Sequence, residues 1–318
     1  MSLVMLLYAG KASMYSFKYY IFIDTVKKLK RWSQSAGNTQ FFFLKKKIGG
    51  TSETICDNTE NIKNISIHVP THLKPLNDEQ FGHYLAGLID GKGYFNTQQQ
   101  LIIEFSSSDV KLAYYIKSMI GFGQVKKVKD KNVYIYIISN KFGIIKTINL
   151  INGKLRIIDK FNQDIDNILT NLKENIEFKF NDSNNLINGN YWITGFSDAG
   201  ASFQIEIVNK INEPKPEIRL NLKFDKQDKN VLILIKEVFG GIISYEKLNN
   251  SYTYNSNSFG SARKILNYFD NFHLQSNKYV NYLKWRKAYI IVQEKNYLTE
   301  RGMDKIIKLK NSININSV

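Results

Sequence analysis

The residues best placed to do chemistry in this chain fall in two short stretches, GHYLAGLIDGKGYF (Gly82–Phe95) and YWITGFSDAGASF (Tyr191–Phe203). Each carries one carboxylate, Asp90 or Asp198, followed by small residues. A carboxylate is the ligand that a hard ion such as Mg²⁺ requires. Lys92, set between Gly91 and Gly93, offers the opposite: an ammonium with donors and no acceptor, suited to neutralising a phosphate. No other metal set competes. Pro70 breaks the helical spacing of His68 and His72. The single cysteine, Cys56, permits neither an intrachain disulfide nor a cysteine metal cluster.

Holding these groups in place requires a helix running into a strand, twice. Asn77 or Asp78 is a suitable N-cap, and the pattern predicts a helix from about Asp78 to Ile89. Gly82 and Ala86 share a face of it, with Gly87 beside Ala86. Thr194 and Gly195 supply the matching places in the second stretch, with Gly87 and Gly195 108 residues apart. Ordinary core packing accounts for such small faces, and two helices packed by them bring both ends to one spot. Asp90 and Asp198 lie two residues before Lys92 and Gly200, a rotation of roughly 200°, so they are expected to point away from that spot.

The likeness continues past the two stretches. IIEFSSSDVKLAYYIKSMIGFGQV (Ile102–Val125) parallels RLNLKFDKQDKNVLILIKEVFGGII (Arg219–Ile243). NVYIYIISNKFGIIKTINLI parallels NSYTYNSNSFGSARKILNYF, with Phe142-Gly143 and Phe259-Gly260 at the same point. Each half reads as a helix, a strand pair, a helix starting near Asp109 or Asp228, a second strand pair and a helix after the Phe-Gly. The fold class is therefore α+β, a duplicated αββαββα unit.

The 318 residues carry 44 Lys+Arg against 28 Asp+Glu, a formal charge of +16 and a pI near 9.5. That excess points to a polyanion, either nucleic acid or an anionic membrane surface. Residues 1–52 form a basic leader or arm, with nine basic residues and one acid (Asp24) supplying half the net charge. A transit peptide, a phosphate-touching arm and the remnant of an upstream reading frame all fit it. Its apolar runs are too short to span a bilayer. Residues 53–76 read as a linker, 77–180 as the first half and 181–318 as the second, ending in a basic amphipathic helix with Lys284, Arg286 and Lys287 exposed. Abundant Ile, Lys, Asn, Tyr and Phe hint at an AT-rich genome such as many organelles carry.

LAGLIDGKG (Leu85–Gly93) resembles the LAGLIDADG motif of homing endonucleases and intron-encoded maturases, and ITGFSDAGA (Ile193–Ala201) resembles the diverged second copy of single-chain members. The resemblance implies two pseudo-symmetric halves, each with a curved antiparallel sheet, forming a β saddle over the major groove, and a monomer with an internal pseudo-dimer. In that family one acid from the eighth position of each motif helps hold divalent ions between the scissile phosphates. Here the eighth positions are Lys92 and Gly200, so no cofactor is expected and a cleavage-deficient RNA maturase serving its host intron is the leading reading. Its candidate nucleic-acid contacts are Gln98, Gln99, Gln100, Lys126, Lys127, Lys129, Lys131, Lys210, Lys223 and Lys247. An active mitochondrial DNA homing endonuclease is the alternative; it needs Mg²⁺ and another acid, with Glu104 and Glu206 as candidates on first strands. An inactive relic is the third.

Overall fold

In a computed structural model of the chain, residues 64–180, 188–209 and 215–314 are described. The leader, Cys56 and Lys210 lie outside them. Helix α1 (Asp78–Lys92) begins where the Asn77 side chain accepts from the Gln80 N–H at 2.9 Å, with Asp78 and Glu79 facing the positive end of the helix dipole. It runs one turn past Ile89. Gly91 and Lys92 remain helical, and Gly93 turns the chain at φ −80°, an extended conformation. Strands β1 (Gly93–Phe95) and β2 (Leu101–Ser106), helix α2 (Val110–Ile120), strands β3 (Gln124–Lys127) and β4 (Val133–Ile138), and helices α3 (Lys141–Ile151) and α4 (Ile158–Leu172) complete the first half.

The second half repeats it: α5 (Trp192–Gly200), β5 (Ala201–Val208), β6 (Glu217–Lys226), α6 (Lys229–Phe239), β7 (Ile242–Glu246), β8 (Ser251–Asn255), α7 (Phe259–Phe269), α8 (Lys278–Gln293) and α9 (Glu300–Asn314). Asp109 and Asp228 are N-caps of α2 and α6, as the sequence predicts. The sheets are antiparallel with orders β1-β2-β4-β3 and β5-β6-β8-β7. Their registers match, Gly93 facing Ile103 as Ala201 faces Phe224, and Ile103 facing Tyr136 as Phe224 faces Tyr254. One face of each sheet is buried under helices by Leu101, Ile103, Phe105, Tyr136 and Ile138, or by Phe203, Ile205, Leu222, Phe224 and Tyr254. Each such side chain contributes about 1.5–3 kcal/mol on leaving water.

Helices α1 and α5 meet at the centre. A Cβ built on Gly87 would collide with the carbonyl oxygen of Trp192, and one on Gly195 with that of Tyr84, so only glycine permits this approach. The other small residues do different work. Gly82 faces the Leu150 carbonyl and Lys154 of its own half. Thr194 donates to the Phe272 carbonyl at 2.8 Å, again within its own half. Ala86, buried, occupies the place in α1 that Thr194 holds in α5. The expectation that all of them line the joint is thereby corrected: helical spacing tells which residues share a face, not which neighbour covers it.

Residues 64–76, expected as a linker, form an extended strap laid on the second half. Ile65 and Gln293 exchange two hydrogen bonds, and Arg286 Nη2 donates to the carbonyls of Ser66 and His68. His72 bonds the Leu274 carbonyl, and the Leu73 N–H donates to His273 Nδ1. Arg286 is therefore buried, not exposed as the amphipathic pattern suggests, and pairs with Asp270 at 2.9 Å. Lys284 reaches the Ser312 carbonyl, which leaves Lys287 as the exposed member of the three. Among the described residues no helix is long and apolar enough to cross a membrane.

Candidate nucleic-acid interface

The sixth-position carboxylates of the two motifs are buried latches. Asp90 accepts from Trp192 Nε1 at 2.8 Å, across the helix joint, and from the backbone N–H groups of Arg156 and Ile157. Asp198 accepts from the Tyr84 hydroxyl at 2.8 Å, across the same joint, and from the N–H groups of Gln275 and Ser276 and the Ser276 hydroxyl. Tyr84 and Trp192 are 108 residues apart, like the glycines. Each half thus supplies the aromatic donor for the other half's carboxylate. Burial pushes the Asp198 carboxyl up, and the Ser276 hydroxyl, the Gln275 N–H, the Tyr84 hydroxyl and the charge of Lys278 oppose that rise. Oxygens engaged this way are committed to protein donors and are not available to a metal.

At the helix ends stand lysines. Lys92 folds over the Phe105 ring with its ammonium 4.3 Å from the centroid. Burial lowers its proton affinity, against the pull of Asp109, Asp198 and Glu104. Lys226 donates to the Gly91 carbonyl at 2.6 Å and lies 5.0 Å from the Phe196 ring centre. Lys278 donates to the Ser197 carbonyl at 3.1 Å. Its pKa falls to about 8, chiefly by burial and then by the charge of Lys92, with Lys226 adding to it. The last carbonyls of a helix carry partial negative charge, which is why ammonium groups settle there.

The registers make this arrangement a crosswise exchange. Phe105 and Lys226 hold the same place in β2 and β6, Phe105 facing Tyr134 as Lys226 faces Tyr252. The first half carries its cation on the helix, Lys92, and an aromatic on the strand. The second carries nothing on the helix, Gly200, and its cation on the strand. A Cβ on Gly200 would stand 3.4 Å from Lys226 Nζ.

Those donors do not fit Mg²⁺. Ammonium groups repel a divalent cation, and the Gly91 and Ser197 carbonyls beside them are already bonded to Lys226 and Lys278. Among the described residues no group of three or more His, Cys, Asp or Glu could hold a metal ion. Glu104 proves to lie on β2, the second strand of its half, with its carboxylate 3.5 Å from the Tyr94 hydroxyl. Glu206, on β5, accepts from Asn221 Nδ2 at 2.9 Å. They occupy unlike register positions and make no symmetric pair.

Of the expected contacts, Lys126 and Lys127 are exposed on β3, and Lys129 and Lys131 in the turn to β4. Lys247 is exposed after β7, and Lys223 on β6 pairs with Asp225 at 3.1 Å. Gln98, Gln99 and Gln100 sit in the β1–β2 turn beside the three-residue β1; Gln99 takes φ 60°, and Gln100 accepts from Asn96 Nδ2. Sequence reasoning missed Lys226 and Lys278. The parallel between Ile102–Val125 and Arg219–Ile243 differs by one residue in length, so it could not tell which strand residue meets the helix end.

Comparison with known proteins agrees with this architecture. The family profile described as LAGLIDADG endonuclease matches residues 193–289. An uncharacterized cox1 intron-2 37.2 kDa protein of Schizosaccharomyces pombe is 51% identical, covering 96% of this chain and 96% of that protein. The intron-encoded RNA maturase bI4 of Saccharomyces cerevisiae is 33% identical over 54% of this chain, which spans 26% of the maturase. Among solved structures, the I-LtrWI LAGLIDADG homing endonuclease bound to target DNA superposes with a TM-score of 0.60 at 20% identity, covering 76% of this chain and 100% of that one.

Proposed function

Because the chain belongs to the LAGLIDADG endonuclease family, we propose that it binds nucleic acid across its paired sheets and leaves it uncut, acting as an RNA maturase that assists folding and splicing of its host intron. The observation that carries this reading is the trio Lys92, Lys226 and Lys278 at the ends of the motif helices, where the family resemblance calls for metal-binding acids. Cations there draw in phosphates, and among the described residues no group of three or more His, Cys, Asp or Glu is assembled to hold a metal that would activate water. The net charge of +16 and the maturase likeness support the same conclusion. The cox1 intron origin in the name of the S. pombe relative supports a mitochondrial setting. The duplicated half supports a monomer with an internal pseudo-dimer.

A second reading, DNA cleavage during intron homing, is favoured by the family's name and by the DNA-bound neighbour. One preparation distinguishes them. The full chain is incubated with host intron RNA and, separately, with the intronless junction DNA and Mg²⁺. Salt-sensitive RNA binding with intact DNA is the expected result. Double-strand breaks at the junction overturn the proposal in favour of the endonuclease.

A further inference from the structure

On the helix-covered side of the second sheet, α7 and α8 form a cavity separate from the open sheet faces. Phe203 packs its ring against Phe269 of α7 and against Tyr282 and Trp285 of α8, which fixes both helices on the buried face of that sheet. Near the start of α7 and the end of α8 lies a cavity of about 420 Å³, within the roughly 300–1,000 Å³ of small-ligand sites. Its lining combines three aromatic rings, Phe259, Tyr289 and Tyr297, with two cations, Arg263 and Lys295. Among the described residues no acid lines it; Glu294, next to Lys295, is engaged by Asn296 Nδ2 at 2.7 Å. Phe259 stacks on the buried Tyr289, with centroids 4.2 Å apart and planes 4° from parallel, and 45% of Phe259 stays open to solvent.

The duplication supplies a comparison. Phe142 and Lys146 hold in α3 the places of Phe259 and Arg263 in α7, and they line a cavity of about 450 Å³. Asp78 and Glu79 line it as well, and Lys154 is tied to Glu79 at 3.1 Å. Helix, phenylalanine and cation are shared by the halves. The stacked ring pair and the acid-free lining belong to the second.

Aromatic faces beside cations suit a nucleotide, whose base stacks while its phosphate meets the positive charge. Resting on the RNA-binding reading above, we propose that this cavity holds an unpaired nucleotide of the bound RNA, its base against Phe259 and its phosphate on Arg263 and Lys295. The nucleotide comes from a part of the folded RNA that wraps past the sheets to the helix side, where a short duplex seated on the sheets does not reach. The Gln293 amide is spent on Ile65, so stacking and charge govern the contact and base identity matters little.

The test crosslinks the full chain to a single-stranded RNA pool of random sequence carrying 4-thiouridine, and reads the modified peptides by mass spectrometry. Adducts on Phe259 or Tyr297 are the expected result. Phe259→Leu keeps an apolar side chain against Tyr289 but removes the π face, and should weaken RNA binding roughly five- to 150-fold. Arg263→Gln with Lys295→Gln should lower the salt slope for RNA by about 1.4, at about 0.7 per phosphate. Phe142→Leu should leave RNA binding unchanged, and none of these variants should alter binding of a short DNA duplex without Mg²⁺. The adduct is read on the parent chain, so it stands whether or not a variant folds. RNA binding that survives both second-half variants, with no adduct in the cavity, overturns the inference and leaves the binding function standing. Adenosine monophosphate bound as tightly as the RNA pool assigns the cavity to a free nucleotide and also overturns it. No binding of RNA overturns the functional reading, and this inference with it.

Discussion

Replacing Lys278 by methionine is expected to stabilise the protein at pH 7. Burial and the charge of Lys92 lower its pKa from 10.5 to about 8. The folded chain then binds fewer protons than the unfolded chain between those two values. The cost to stability is full below about pH 8 and is lost as pH rises toward the unfolded value. At 1.36 kcal/mol per tenfold change in proton affinity, it comes to about 3 kcal/mol near pH 7. Methionine keeps an apolar stem in the same space but deprives the Ser197 carbonyl of its 3.1 Å donor, a loss of about 1 kcal/mol. The variant should therefore gain about 2 kcal/mol at pH 7. By pH 10.5 the gain should have disappeared. Urea unfolding at both pH values, followed through the buried Trp192 and Trp285, measures the difference. A variant less stable than the parent by the same amount at both values refutes the picture of a cation held at a cost. The same strain makes a bound polyanion raise the melting temperature more in the parent than in the variant.

Gly87→Ala or Gly195→Ala should cost about 3 kcal/mol or more, because the methyl meets backbone rather than a movable side chain; a urea midpoint within error of the parent would show that the helices can separate freely. Lys92→Asp with Gly200→Asp should not by itself confer Mg²⁺-dependent nicking of plasmid DNA, since the new carboxylate at 200 falls beside Lys226 Nζ. Metal binding, read by terbium luminescence, is expected only when Lys226→Gln is added, and nicking by the double variant alone would contradict this. Burial and the neighbouring His72 lower the pKa of His273, whose Nδ1 accepts from the Leu73 N–H. The unfolded imidazole therefore takes up its proton first as pH falls through about 6.5, and the strap loosens in acid. Hydrogen exchange at the Leu73 amide should quicken on going from pH 7.5 to about 5.5 beyond the change in intrinsic rate, and an unchanged protection factor would contradict it.

The duplication and the place of the site were readable from the chain because they rest on local pattern. Two motifs 108 residues apart, each followed by the same succession of elements, define halves, helix ends and a cation at Lys92. What local pattern could not supply was contact across distance. Arg286 carries the charge of a surface residue, yet it is buried because Asp270 and two strap carbonyls compensate it. Lys226 and Lys278 reach the centre from a strand end and a helix start, places set by sheet register and by the Asp198 latch.

The strap also has a bearing on the order in which the molecule is made. Ile65 leaves the ribosome 228 residues ahead of Gln293, the side chain that receives it. At a synthesis rate of roughly 5–20 residues per second, the delay is about 11 to 46 seconds. Throughout that interval the first half can complete its own core while the segment leading into it waits without a berth. Seating of residues 64–76 is thus a late event, and a nascent chain halted before α8 lacks the surface that receives it.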